Sequence, residues 1–129
     1  MGTIVYIMDK EIERLEILPS GKIDPDTWDM RHAHREGNPA IVWMDGEQWW
    51  VFNGKNHRKD GPAIESSEFK AWNVNGKMHR IDGPAIEYAS GRNVYYLDDK
   101  FMEPQKWKTE VRKYYDTDED YLLMLLKLD

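Results

Sequence analysis

The dipeptide His-Arg recurs at residues 34, 57 and 79, spaced by 23 and then 22 residues, and the residues after it recur as well. The first copy reads His34-Arg35-Glu36-Gly37-Asn38-Pro39-Ala40-Ile41 and runs on to Phe52-Asn53-Gly54-Lys55. The second reads His57-Arg58-Lys59-Asp60-Gly61-Pro62-Ala63-Ile64-Glu65 and ends Val74-Asn75-Gly76-Lys77. The third reads His79-Arg80-Ile81-Asp82-Gly83-Pro84-Ala85-Ile86-Glu87 and ends Leu97-Asp98-Asp99-Lys100. A period this short holds one supersecondary unit, which cannot bury an apolar face alone, so the copies must stack on one another.

The turn residues say which unit it is. Asn53-Gly54 and Asn75-Gly76 signal hairpins, because both central residues of a type I′ turn need positive φ. Asp98-Asp99 is a weaker substitute. Asp45-Gly46 and Ser90-Gly91 mark a second turn, where the second copy has Ser66-Ser67 and is one residue shorter. No helix continues through Asp-Gly-Pro, which reads as a loop. The expected fold class is therefore mainly β: a twisted antiparallel sheet of tandem 22–23-residue β-hairpin repeats with a short C-terminal helical segment.

Alternation within the strands predicts the buried face. Counting back from each turn, Trp50 and Phe52, Trp72 and Val74, and Tyr95 and Leu97 share one side, which their size marks as core. Ile41, Ile64 and Ile86 are expected to join it. The opposite side carries Val42, Trp49 and Val51, then Glu65, Ala71 and Asn73, then Glu87, Val94 and Tyr96, and it varies from copy to copy. Repeat scaffolds recognise partners through the surface that varies. The expected partner-binding residues are Val42, Trp49, Val51, Glu65, Asn73, Glu87 and Tyr96, with the aromatics as anchors and the two glutamates facing a basic partner.

The ends differ from the repeat. Residues 1–33 are expected to form a capping hairpin from Thr3–Met8 and Ile12–Leu18, with turns at Asp9-Lys10 and Pro19-Ser20-Gly21, protecting a sheet edge that would otherwise invite pairing. Residues 102–129 change period: Pro104 suits a first helical turn, and Trp107, Val111, Tyr114 and Tyr115 fall on one helical face. Thr117 and Asp120 have the spacing of a capping box. Tyr121–Leu126 is apolar nearly all round, which predicts burial under the sheet, or else a homodimer through the 121–128 helix. Repeats and ends together make a single domain of 129 residues.

The string Asn-Gly-Lys-x-His-Arg-x-Asp-Gly-Pro-Ala-Ile, complete at 75–86 and nearly so at 53–64, resembles the MORN-like β-hairpin repeats of bacteriophage and giant-virus proteins. The resemblance covers 34–101 and implies a curved, mostly single-layered antiparallel sheet followed by a helical tail. It departs at Glu36-Gly37-Asn38 and at Asp98-Asp99, in the terminal units where capping repeats are usually irregular. It also implies a phage-encoded accessory protein acting in the cytoplasm of an infected bacterium; a small, acidic, cysteine-free chain of that kind is expected to occlude a host protein such as an antiviral defence component.

Charge and composition narrow the function classes. The net charge is −6, and the repeat region 34–101 holds 9 basic and 10 acidic side chains, so the basic footprint of a duplex DNA binder is missing. A single-stranded nucleic-acid binder, stacking bases on Trp49 and Tyr96, ranks lower for want of a basic groove. The chain has no Cys, which fits a reducing compartment, and its longest apolar run is 6 residues, against about 20 for a membrane span. The expected location is cytoplasmic.

His34, His57 and His79 invite a metal reading, with His32 nearby. Equivalent side chains two strands apart start about 10 Å from each other, too far to share one ion at about 2.1 Å. Each His-Arg is expected instead to pack against the Asp-Gly-Pro loop, through Asp60 or Asp82. No nucleophile motif, phosphate loop, metal set or cofactor signature appears. The reading is a non-catalytic protein-binding module, with a self-associating virion or assembly accessory as the alternative.

Overall fold

Three two-residue turns with left-handed backbone set the geometry of the chain. The computed structural model describes residues 3–7, 10–15, 34–43 and 45–128. In it Asn53 and Gly54 have φ of 49° and 76°, and Asn75 and Gly76 have 51° and 81°. Asp98 and Asp99 take up the same conformation, at 49° and 67°. The third turn thus matches the other two without glycine, and the Asp99 carboxylate accepts a hydrogen bond from the Met78 amide at 2.7 Å.

Among the described residues the strands are β1 (Thr3–Ile7), β2 (Lys10–Leu15), β3 (Ile41–Val42), β4 (Gln48–Trp49), β5 (Val51–Phe52), β6 (Lys55–Asn56) and β7 (Ile64–Glu65). They continue as β8 (Phe69–Ala71), β9 (Asn73–Val74), β10 (Lys77–Met78), β11 (Ile86–Tyr88), β12 (Asn93–Leu97) and β13 (Lys100–Met102). Nine form one antiparallel sheet in the order β13-β12-β11-β8-β7-β4-β3-β1-β2, while β5-β6 and β9-β10 are separate hairpins. The chain is therefore mainly β with helices at its C-terminal end. The β1–β2 hairpin lies on the sheet through Ile4↔Val42 and Val5↔Ile41, against the strand that would otherwise be an edge. Met8, residues 16–18, the Pro19-Ser20-Gly21 turn and His32 lie outside the described residues.

Register corrects the expected faces. Ile41 and Ile64 both stand opposite Trp49, Ile64 and Ile86 both stand opposite Ala71, and Ile86 also stands opposite Val94. Directly opposed residues project from the same side of a sheet. The isoleucines therefore belong with Trp49, Ala71 and Val94, not with Trp50, Trp72 and Tyr95. Burial follows in part: Ile41, Ala71, Val94 and Val51 are buried and Phe52 is exposed, while Ile64, Ile86 and Trp49 are half-buried like Trp50 and Trp72. Alternation along one strand misassigned the face because it ignores which residues of the neighbouring strand stand opposite. Leu97 alone among the six expected core residues is fully enclosed, and helices enclose it.

Those helices are α1 (Pro104–Glu110), a 3-10 turn over Val111–Tyr114, and α2 (Asp118–Lys127). Pro104 opens α1, and the Thr117 hydroxyl caps α2 by accepting from the Asp120 amide at 3.1 Å. Trp107, Val111 and Met124 close over Leu97 as one apolar cluster. The Trp107 ring lies 4.8 Å from that of Tyr95, its indole N–H donates to the Arg80 carbonyl, and the Tyr115 hydroxyl donates to the Ile81 carbonyl at 2.6 Å. The expected stripe of Trp107, Val111, Tyr114 and Tyr115 does meet the sheet. The expected burial of Tyr121–Leu126 does not hold throughout. Met124 is buried, but Leu122, Leu123 and Leu126 stay exposed, Leu126 at 78%, because only one stripe of α2 meets protein. Among the described residues no helix is long and apolar enough to cross a membrane.

Trp107→Ala is expected to remove about 3–5 kcal/mol of stability, as truncation of a fully buried aromatic does, measured by urea denaturation. Burial also pushes the phenols of Tyr95, Tyr114 and Tyr115 above the ordinary value of 10, with Asp98 adding to the effect at Tyr114 and Asp82 at Tyr115. The folded chain thus holds these protons more tightly than the unfolded one. Their contribution is complete below pH 10 and is lost as pH rises through the higher folded values. A urea midpoint that falls above about pH 10, and falls less in the Tyr114→Phe, Tyr115→Phe double variant, is the expected result.

Candidate interaction surface

Arginine and tryptophan eight residues apart close each of the two separate hairpins. The Arg58 guanidinium carbon lies 3.9 Å from the centre of the Trp50 ring, and that of Arg80 lies 3.8 Å from Trp72. A cation over an aromatic face contributes about 0.5–2 kcal/mol, more as it is desolvated. Each guanidinium also bonds forward. Arg58 donates to the Pro62 carbonyl, Asp60 and Glu65; Arg80 donates to the Pro84 carbonyl, Asp82 and Glu87. Arg35 makes the matching bond to the Pro39 carbonyl at 3.3 Å. The planar fork suits this work, since one group can stack and donate in several directions at once.

This stack explains the glycine of Asp-Gly-Pro. A Cβ on Gly61 would lie 2.9 Å from the Arg58 guanidinium carbon, and one on Gly83 would lie 2.8 Å from that of Arg80. A side chain at either position would have to displace the guanidinium, and neither backbone is left-handed.

Histidine does something separate. The Nδ1 of His34, His57 and His79 accepts from the backbone amide of Asn53, Asn75 and Asp98 respectively, at 2.9, 3.0 and 3.1 Å. Each His therefore holds the first residue of the turn 18 or 19 positions further along the chain. The arginine half of the expected loop pairing, to Asp60 and Asp82, is present; the histidines are committed to turns instead. Among the described residues no three His, Asp or Glu side chains converge as metal ligands would.

The residues expected to contact a partner do not form one surface. Val51 and Asn73 are interior, at 1% and 8% exposure, and this corrects their placement on a free face. Asn73 also buries a side-chain oxygen that finds no donor among the described residues. Val42, Glu65 and Glu87 project from the side of Trp50 and Trp72, where the two glutamates hold Arg58 and Arg80. Trp49 lies on the isoleucine side, its ring 5.1 Å from that of Trp43, and Tyr96 sits half-buried 6.0 Å from Phe101.

On the Trp50 side, a groove of about 590 Å³ opens between the first two His-Arg loops. Trp50, Phe52 and His57 form its aromatic wall, Arg35, Arg58 and Lys59 its cationic rim, and Glu36 and Asp60 oppose them. Lys59 is exposed and has no ion pair among the described residues. The sequence held one clue to this groove: the position after His-Arg is Lys59 in the second copy and apolar Ile81 in the third. Comparison with known protein families, with curated proteins and with solved structures finds no match.

Gly83→Ala is expected to drive the Arg80 guanidinium off Trp72 and remove about 1–3 kcal/mol, the usual penalty of overpacking. Once Arg80→Ala is present, the same substitution should have little further effect. A double-mutant cycle in urea checks this, and additive losses would show that the glycine serves another purpose.

Proposed function

We propose that this chain is a non-catalytic protein-binding module, in which three tandem MORN-like hairpin units over 34–101 present the Trp50 side of the sheet to a partner. The groove between the first two loops carries this reading. It combines aromatic walls with arginine, the residue types that dominate the energetics of protein interfaces, and Glu65 holds Arg58 at its rim. The resemblance to phage hairpin-repeat proteins makes a host protein of the infected bacterium, such as an antiviral defence component, the partner to seek in the cytoplasm.

A second reading rests on Leu122, Leu123 and Leu126, which leave an apolar stripe of α2 open. Pairing of two such stripes would make the chain a self-associating accessory protein with two-fold symmetry.

The tagged chain is expected to retain one host protein from bacterial lysate, and the two purified proteins should co-elute as a complex of fixed stoichiometry. Sedimentation of the chain alone separates the readings. A monomer at all concentrations supports host binding. A dimer dissolved by Leu122→Glu and Leu126→Glu, with no host protein retained, replaces it by self-association.

A further inference from the structure

The C-terminal segment covers a surface at the third His-Arg loop whose sequence counterpart at the second loop lies open. Four contacts define the covered surface. Trp107 donates to the Arg80 carbonyl at 3.2 Å, and the Tyr115 hydroxyl donates to the Ile81 carbonyl at 2.6 Å. The Tyr114 ring meets His79 edge-on at 5.2 Å, and its hydroxyl donates to the Asp98 carboxylate at 3.2 Å.

One copy earlier, the residues in register with His79, Arg80, Ile81 and Asp98 are His57, Arg58, Lys59 and Asn75. All four line the groove. The backbone there is arranged as at the third loop. His57 accepts from the Asn75 amide as His79 accepts from that of Asp98, and the Arg58 amide bonds to Asn73 as that of Arg80 bonds to Tyr96. The carbonyl and ring positions that receive the tail at one loop are therefore offered again at the other.

We propose that the groove binds a tyrosine-bearing acidic segment of a partner protein, held as the chain holds its own Tyr114-Tyr115. This rests on the protein-binding reading and names the chemistry of the partner. One tyrosine ring packs on His57, as Tyr114 does on His79, and the hydroxyl of the next donates to the Lys59 carbonyl, as that of Tyr115 does to Ile81. The acidic requirement comes from two changes between the surfaces. The tail covers an apolar Ile81 and meets the Asp98 carboxylate, whereas the groove presents the exposed Lys59 ammonium and the neutral Asn75. The chain's own tail carries the same pattern in Tyr114-Tyr115-Asp116, but its tyrosines are engaged at the third loop, so the occupant comes from another protein.

The test uses the full chain and a synthetic peptide copying residues 112–120, Arg-Lys-Tyr-Tyr-Asp-Thr-Asp-Glu-Asp, with blocked ends. Amide and indole resonances of Trp50, His57, Lys59 and Asn75 should shift saturably, and a peptide with alanine at both tyrosines should not bind. Lys59→Glu, on an exposed side chain, should weaken the peptide by about fivefold, the scale of reversing one partly exposed charge. Shifts centred on His79 and Asp98 would mean that the peptide merely exchanges with the tail, and would overturn the proposal. So would groove shifts with a nucleoside monophosphate but none with the peptide. If the peptide fails while a host protein is still retained equally by wild type and Lys59→Glu, the groove assignment falls and the protein-binding reading stands. A peptide that binds the groove in a chain retaining no host protein upholds the groove and removes the host target.

Discussion

The two separate hairpins depend on a cation placed over an indole. Arg58 and Arg80 each join three parts of the chain that would otherwise be held only by short ladders. The stack closes the hairpin behind the arginine, the prolyl carbonyl fixes the loop beside it, and the glutamate ties in the next strand. Two-residue strands such as β5 and β6 are too short to persist alone, so this cross-linking does what longer strands do elsewhere. The glycine before proline in the second and third copies fits the stack, since the guanidinium occupies the space a side chain would need.

The third ring shows how the series is brought to a stop. Among the described residues no arginine stacks on Tyr95, and Trp107 packs there instead. An indole tilted by 49° replaces a guanidinium against the ring, and its N–H satisfies the Arg80 carbonyl. The helices are thus positioned at the ring where the two hairpins before it carry an arginine.

The existence and type of the elements were legible in the sequence, because turn residues and the change of period at Pro104 act locally. The terminal cluster was legible for the same reason: Trp107, Val111, Tyr114 and Tyr115 fall on one helical face. The sides of the sheet were not. Deciding them requires knowing that Ile41 and Ile64 stand opposite Trp49, a relation between strands that alternation within one strand cannot carry. Large size also misled, since Trp50 and Trp72 are covered by the stems and heads of arginines instead of by the core. The groove escaped because it is made by two loops a full period apart, and only the difference between Lys59 and Ile81 hinted that one loop is covered and the other is not.

The bonds that join successive segments run between immediate neighbours. His57 reaches the turn at Asn75, the Arg58 amide reaches Asn73, and the Gly76 amide reaches Asn56. Among the described residues no such bond skips a segment, and the tail touches only the last. Duplication or deletion of one 22-residue stretch would therefore leave both ends with the neighbours they already have. That stretch, and not the single strand, is the length by which this part of the chain can change while the contacts at both ends are kept.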